Sequence, residues 1–323
     1  RVPNLIRPVR PLSDWLAYRQ LKRAFASFRP DIVHTHSGKA GFIGRLAAKR
    51  AGVPKIIHSI HGPSFGPFQG WATNALFCGA ERFAGRMTDH FVTVADAMRD
   101  QYLAAGISQA DDYTRIPSGF DLQPFLDAEN SPTKRASLGL SPSDFVVGKI
   151  ARLFELKGHD DLFAIAPRLA KRIPNIRFLL VGDGVWRGRF ERLAKEIGCD
   201  QNFIFTGLVP PSEIPSLVGV MDALVHLSRR EGLPRALPQA MAAAKPVVAF
   251  DCDGAGEVCL DGKTGHLIEP GDLAKLEERL AKLANDSPLR TALGQAGRKV
   301  VEEEFTVEQL VERQYELYKR LLA

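Results

Sequence analysis

Short apolar runs that end in Gly, His, Ser or Asp alternate with amphipathic stretches along most of the chain. DIVHTHS (31–37) predicts a strand entering a loop, and KAGFIGRLAAKRAG (39–52) predicts the helix after it. KIIHSIHG (55–62) and HFVTVA (90–95) predict two further strands, a helix follows through Asp96–Ala105, and TRIPSG (114–119) closes the series. After a Pro/Ser-rich stretch the pattern restarts. DFVVGKIARL (144–153), IRFLLVGDG, NFIFTG, DALVHLS, PVVAF and TGHLIEP predict strands, with helices DDLFAIAPRLAKRI, VWRGRFERLAKEIG and PSEIPSLVGV among them. Alternating strands and helices imply βαβ crossovers and parallel sheets. The near-continuous apolar character of the runs suits strands buried on both faces.

This pattern predicts an α/β protein of two Rossmann-like domains facing a cleft. The restart places a boundary near 126–143, so residues 1–140 form a first domain and 141–306 a second. FTVEQLVERQYELYKRLLA predicts a last helix over 307–323, with Val307, Leu310, Val311, Tyr315, Tyr318 and Leu322 as its buried stripe. In open α/β sheets ligands sit at the carboxyl ends of the strands, so the loops there are where chemistry is sought.

Composition changes the picture only a little. A length of 323 residues favours two domains, and 45% hydrophobic residues permit a sizeable core. No run approaches the roughly 18–20 apolar residues of a membrane span, and RVPNLIRPVRP at the start has no apolar signal-peptide core. The four cysteines, at 78, 199, 252 and 259, show neither metal-ligand spacing nor a disulfide framework, which fits reduced thiols in the cytoplasm. Charge is uneven: residues 1–135 carry 18 Lys/Arg and 11 Asp/Glu, residues 136–323 carry 25 and 26. A basic first half is either a solvated face or a surface for an anionic partner such as a membrane. The segment WATNALFCGAERFAGRM (71–87) sets Trp71, Leu76, Phe77 and Phe83 near Arg82 and Arg86, as either a core helix or a membrane-docking one. Nothing resembles the aromatic platform of a nucleic-acid binder.

Five clusters sit at predicted strand ends. In ARLFELKG, Arg152 and Lys157 flank a turn closed by Gly158; two such cations suit a diphosphate. LLVGDGVWRG gives Gly182, Gly184 and Gly188, but no acid ends the following strand as a nicotinamide fingerprint requires, so a tight turn is the better reading. Asp251-Cys252-Asp253 is either a metal-holding pair or a turn, and Gly254 favours the turn. His34, His36, His58 and His61 lie on the first two strands, with His34 and His36 on one face and His61 at a carboxyl end. Finally, SRREGLPRALPQAMAAAKPVVAF (228–250) places Glu231 before Gly232 and Leu233, two prolines that fit only a helix's first turn, and Gln239 early in that helix. Free N–H groups there suit a phosphate, and Glu231 and Gln239 suit polyhydroxyl groups. The alternative is a polar turn entering an ordinary core helix.

The run 231–272 resembles the signature of the family 4 retaining glycosyltransferases of GT-B fold. ARLFELKG is similar to that family's GRLxxxKG element, VGDG and FTGLVP to its next landmarks, and DIVHTHS and IHG to strand ends of its acceptor domain. The resemblance implies transfer of a sugar from a UDP- or GDP-linked donor to an acceptor hydroxyl with anomeric retention, in cell-surface glycan synthesis. Arg152 and Lys157 would neutralise the donor diphosphate and Glu231 would bind the transferred sugar. The Gly232–Leu233 amides would hold phosphate, Gln239 the ribose, and Gly182, Gly207 and Leu208 would frame the nucleotide. His61 would lie near the reacting sugar, with His36 and Lys39 on the acceptor side. No metal or other cofactor is implied, and the last helix would return to the first domain. A lipid-linked or polysaccharide acceptor, at the cytoplasmic face of a membrane, fits the basic first half.

The chain departs from the family pattern twice. Where the family has Glu, seven residues, Glu, the second position here is Gln239, which keeps hydrogen-bonding capacity but loses charge assistance. Family members also begin with an apolar strand, a Gly-Gly loop and further βα units, none of which precedes DIVHTHS, and the chain starts at Arg1 rather than Met. It is therefore expected to lack its first strands, and to be poorly soluble or inactive alone because a strand edge is left unpaired. These departures keep two rivals in view, a sugar-nucleotide epimerase of the same fold and a non-catalytic sugar-nucleotide-binding protein.

Overall fold

The computed structural model describes every residue of the chain except Arg7 and Pro67. The chain forms two compact units: Arg1–Ser118 together with Glu308–Ala323, and Gly119–Val307.

The first unit carries a parallel sheet ordered β1 (Ile32–His36), β2 (Lys55–Ile60), β3 (His90–Thr93) and β4 (Tyr113–Arg115). The expected fourth run at 114–119 contributes only Thr114 and Arg115, and the strand begins one residue before it, at Tyr113. The helix Gly38–Ala51 follows β1 as predicted, and Asp96–Ala104 follows β3. A helix over Pro11–Phe28 was not predicted. Its apolar residues make no single stripe: Leu12, Trp15 and Phe28 are exposed and only Ala17 is buried.

In the second unit a six-stranded parallel sheet is ordered β10-β9-β8-β5-β6-β7, with β5 Phe145–Ile150, β6 Ile176–Val181, β7 Phe203–Gly207, β8 Ala223–His226, β9 Val247–Phe250 and β10 Gly265–Ile268. The chain runs outward from β5 to β7, then starts again on the other side of β5 with β8. Central strands β8 and β9 are buried along their whole length, as their unbroken apolar sequences require. Alternate residues feed two cores: Ala223, Val225, Val248 and Phe250 on one face, Leu224, Val247 and Ala249 on the other.

Two expectations need correction. The expected boundary at 140 lies too late, because residues 119–140 pack with the second unit. Phe120, Leu122, Phe125 and Leu140 are buried in its core, and buried Arg135 donates to the carbonyls of Asp144 (2.7 Å) and Val220 (3.1 Å). The Pro/Ser-rich composition hid those apolar anchors. On the last helix, Val307–Leu322, the buried stripe is Leu310, Leu317, Tyr318 and Leu321, which pack on Ile57, Val92 and Ile116. Val307, Val311, Tyr315 and Leu322 are exposed. The helix has two apolar stripes, and periodicity alone does not say which one meets the sheet.

Candidate functional site

The reversal of strand order between β5 and β8 is the kind of switch point at which open α/β sheets bind ligands. Lys157 sits in the turn after β5. Both of its neighbours have left-handed backbones, Leu156 at φ 63° and Gly158 at φ 64°. That tight curl is held from the other side of the switch by the Arg229 N–H, which donates to the Leu156 carbonyl at 2.9 Å. It is held again by the Arg229 guanidinium, which grips the Asp161 carboxylate at 2.8 and 2.9 Å. The result is that Lys157 Nζ contacts Glu231 Oε1, 74 residues away in sequence. Glu231 is steadied by its own N–H, which donates to Asp253 Oδ2 at 2.7 Å, and by the Ser228 hydroxyl at 3.4 Å. The loops after β5, β8 and β9 thus meet at one point. There, among the described residues, the N–H groups of Gly232, Leu233 and Arg235 have no hydrogen-bond partner.

The remaining predicted residues lie around this point without touching it. Arg152 is exposed, with its guanidinium 5.4 Å from the centre of the Phe154 ring and no ion pair among the described residues. Gly182 and Gly207 face each other, the N–H of the first donating to the carbonyl of the second at 3.2 Å. A Cβ on Gly182 would lie 2.4 Å from the Ala151 carbonyl oxygen, and one on Gly184 2.3 Å from that of Leu153. The VGDG glycines therefore let two loops pass at backbone distance, the tight-turn reading. Leu208 is 85% exposed, which leaves its face open to a flat ligand. Gln239 is half-buried in the helix Ala236–Ala242, and its amide has no partner among the described residues. Asp253 is the N-terminal residue of a 3-10 turn and caps Glu231. No group of three or more His, Cys, Asp or Glu that could hold a metal ion lies among the described residues.

Beneath the Lys157–Glu231 contact lies a set of bases that sequence reasoning missed. Lys149 on β5 is fully buried, and burial, with Lys157 nearby, pulls its ammonium down to about 7. His159 and His226 are buried too; desolvation, then the charges of Lys149 and Lys157, keep both imidazoles neutral, His159 with a pKa of about 2. The signal was a lysine inside an otherwise apolar strand, VVGKI.

The first unit holds the predicted histidines. His34 and His36 do share a face of β1, their rings stacked 4.5 Å apart. His36 Nδ1 lies 2.9 Å from His61 Nε2, so the structure brings these two residues together. Lys39 is not with them: its Nζ donates to Asp14 Oδ1 at 2.5 Å and to the Pro8 carbonyl at 2.7 Å. That bond is also what holds the Asp14 carboxyl below its ordinary range.

Residues 130–300, more than half of the chain, match the family described as glycosyl transferases group 1. The chain belongs to that family. Residues 1–124 match glycosyltransferase family 4. The chain is 26% identical over 321 residues to the UDP-Gal:alpha-D-GlcNAc-diphosphoundecaprenol alpha-1,3-galactosyltransferase of Escherichia coli, covering 98% of this chain and 82% of that one. It is 31% identical over 262 residues to the GDP-mannose-dependent alpha-(1-6)-phosphatidylinositol monomannoside mannosyltransferase of Mycolicibacterium smegmatis, covering 78% and 66%. Its fold matches Anabaena Alr3699/HepE, crystallised in complex with UDP-glucose, with a TM-score of 0.83 at 23% identity over 96% of this chain and 84% of that one. The two parallel-sheet units are thus those of a GT-B glycosyltransferase, a family whose enzymes act without a metal.

A carboxylate accepts from sugar hydroxyls, a cation and free N–H groups favour a phosphate, and here they are within one side chain of each other.

Proposed function

We propose that this glycosyltransferase moves a sugar from a UDP- or GDP-linked donor to a hydroxyl of a lipid-linked or glycan acceptor, with retention at the anomeric carbon, in cell-surface glycan assembly. The observation that carries the reading is the Lys157–Glu231 contact across the β5/β8 switch point. In this reading Lys157 and Arg152 hold the donor diphosphate with the N–H groups of Gly232 and Leu233, Glu231 takes hydroxyls of the sugar, and Gln239 takes the ribose. Gly182, Gly207 and Leu208 border the nucleotide. The acceptor oxygen forms its bond to the anomeric carbon on the face from which the diphosphate oxygen leaves. The leaving oxygen takes the acceptor's proton, so no side chain need be alkylated. The carboxylate of Asp253 accepts the Glu231 N–H at its Oδ2, which argues for a prop rather than a nucleophile. Developing charge on the diphosphate is met by fixed cations and N–H dipoles, an electrostatic stabilisation.

Thermal-shift measurements on the whole chain with UDP, GDP, ADP and their sugar conjugates test the donor site. One nucleotide diphosphate should raise the melting temperature, its sugar conjugate should raise it further, and the product made from it should keep the donor's anomeric configuration. A folded protein that responds to none of them would remove the reading. One relative is a UDP-Gal-dependent and another a GDP-mannose-dependent transferase, which supports either base.

A membrane-bound acceptor is supported by the helix Trp71–Gly85, where Trp71, Leu76 and Phe83 are at least half exposed beside Arg82 and Arg86. No helix of the described residues is long and apolar enough to cross a membrane. In this reading the protein attaches peripherally at the cytoplasmic face. It is expected to sediment with vesicles containing phosphatidylglycerol and not with phosphatidylcholine alone; equal behaviour with both would count against the contact.

A further inference from the structure

One polar array in the first unit extends well beyond His61. His34, on β1, has both ring nitrogens engaged: Nδ1 lies 2.6 Å from the Tyr318 hydroxyl and Nε2 lies 2.7 Å from Ser59 Oγ. A ring held at both ends cannot turn. Burial, with the charges of His36 and His61 beside it, lowers its pKa to about 3, so the ring is neutral, one nitrogen donating and the other accepting. The Tyr318 phenol meets that ring edge-on, 5.8 Å between centroids, and burial raises its pKa, so the hydroxyl keeps its proton.

From His34 the array continues by stacking. His36 lies against it at 4.5 Å with the planes 24° apart, and His61 lies against His36 at 5.2 Å and 22°. The His36 Nδ1 to His61 Nε2 distance of 2.9 Å requires one proton between the two nitrogens, donated by one ring and accepted by the other. Both rings cannot offer N–H there at once. The pair therefore has a fixed total of protons at this contact, and its outer nitrogens are set by which ring donates. Among the described residues, the other ionisable groups around the array include His58 on β2, Arg45 on the helix Gly38–Ala51, and Tyr318, while Lys39 on that helix is turned to Asp14. Arg45 is neutralised by Glu81 at 2.7 Å and Lys39 by Asp14.

We propose that Tyr318 and His34 are positioning residues for the His36–His61 pair, so that the C-terminal helix sets the ring orientation and proton arrangement that His61 presents to the sugar-bearing substrate. This rests on reading His61 as substrate-facing. Its geometry is independent of the donor pocket, because all five side chains belong to the first unit. Tyr318 reaches His34 across 284 residues of sequence, and the packing of Leu317 and Leu321 on the sheet is what holds the hydroxyl there.

The test uses the full chain with its eight histidines labelled with nitrogen-15, followed by two-bond proton–nitrogen spectra over pH, and sugar-transfer kinetics in parallel. Tyr318→Phe removes only the hydroxyl. It is expected to change the tautomer signature of His34 and to move the titration midpoint of the His36–His61 pair by about half a pH unit or more. It should also lower kcat about tenfold, with donor KM unchanged and the pH profile of kcat displaced by the same amount. Val311→Ala, a truncation on the exposed side of the same helix that keeps both the hydroxyl and the packing of Leu317 and Leu321, is the control and should leave the tautomers as they are. Unchanged His36 and His61 spectra in Tyr318→Phe would overturn the proposal, as would equal changes in the control. Altered spectra with an unaltered rate in an active enzyme would also overturn it, leaving a hydrogen bond without a positioning role. If no nucleotide sugar supports turnover, the donor reading has failed, and the spectra alone still decide whether Tyr318 governs the pair.

Discussion

Lys157→Ala should lower kcat/KM for sugar transfer by about a thousandfold. The side chain is 17% exposed and its partner Glu231 28%, so the pair is only partly screened. A cation about 4 Å from a charged diphosphate oxygen at an effective dielectric of ~20 interacts with it by about 4 kcal/mol, roughly a factor of 10³. The substitution acts twice. It removes a cation from the leaving diphosphate, and it leaves the Glu231 carboxylate facing that diphosphate with nothing to offset it. Glu231→Gln separates the two effects, because it keeps the side chain's shape and leaves Lys157 free for the phosphates. Its loss should be smaller, about ten- to a hundredfold, and should fall on kcat if the carboxylate's bonds strengthen in the transition state. Arg168→Ala is the control, since Arg168 is 57% exposed and its ion pair among the described residues is with Glu277. Steady-state kinetics with the donor found by thermal shift decides the matter. A Lys157→Ala loss below tenfold would mean that the contact seen here is an ion pair of no consequence to the transfer.

Much of this site was legible because parallel α/β folds place loops predictably. The apolar runs gave the strands, and the residues just after β5, β8 and β9 had to share one end of a sheet. Lys157 and Glu231 stood out as polar residues beside glycines at those ends. What stayed hidden depends on contacts between residues distant in sequence. Asp253 read as a turn residue, and it is one, but nothing local says that its carboxylate receives the Glu231 N–H from 22 residues away. Tyr318 was placed in an apolar stripe; only the fold shows that its hydroxyl, rather than its ring, has the specific partner. Lys149 could have been flagged, since a lysine flanked by Gly148 and Ile150 in a buried strand contradicts the local pattern. The domain boundary was lost for the opposite reason, because Phe120, Leu122 and Phe125 are spaced too irregularly to signal an element yet are bulky enough to choose a core.

The same close packing makes one glycine decisive. Gly158→Ala is expected to lower the melting temperature by about 10 °C and to abolish the response to nucleotide. Two costs are involved. The backbone is left-handed at φ 64°, worth about 1 kcal/mol against any residue with a Cβ. The added Cβ would also fall 1.9 Å from the carbonyl oxygen of Leu227, an atom of the main chain just past β8 that no rotamer change can move. Relief requires the turn carrying Lys157 to part from the loop carrying Ser228 and Glu231, so the clash opens the proposed site at its centre. Gly198→Ala isolates the first cost: its φ is 66°, and nothing lies within 4 Å of where its Cβ would be. That variant should lose only about 1 kcal/mol, roughly 2–4 °C in a unit of this size, and should bind nucleotide normally. Scanning calorimetry on the two variants, with and without the stabilising nucleotide, separates the terms. Equal melting temperatures and equal binding would show that the β5 turn can give way at Leu227. The switch-point geometry would then be too soft to hold Lys157 against Glu231, and the electrostatic account of the donor site would lose its structural basis.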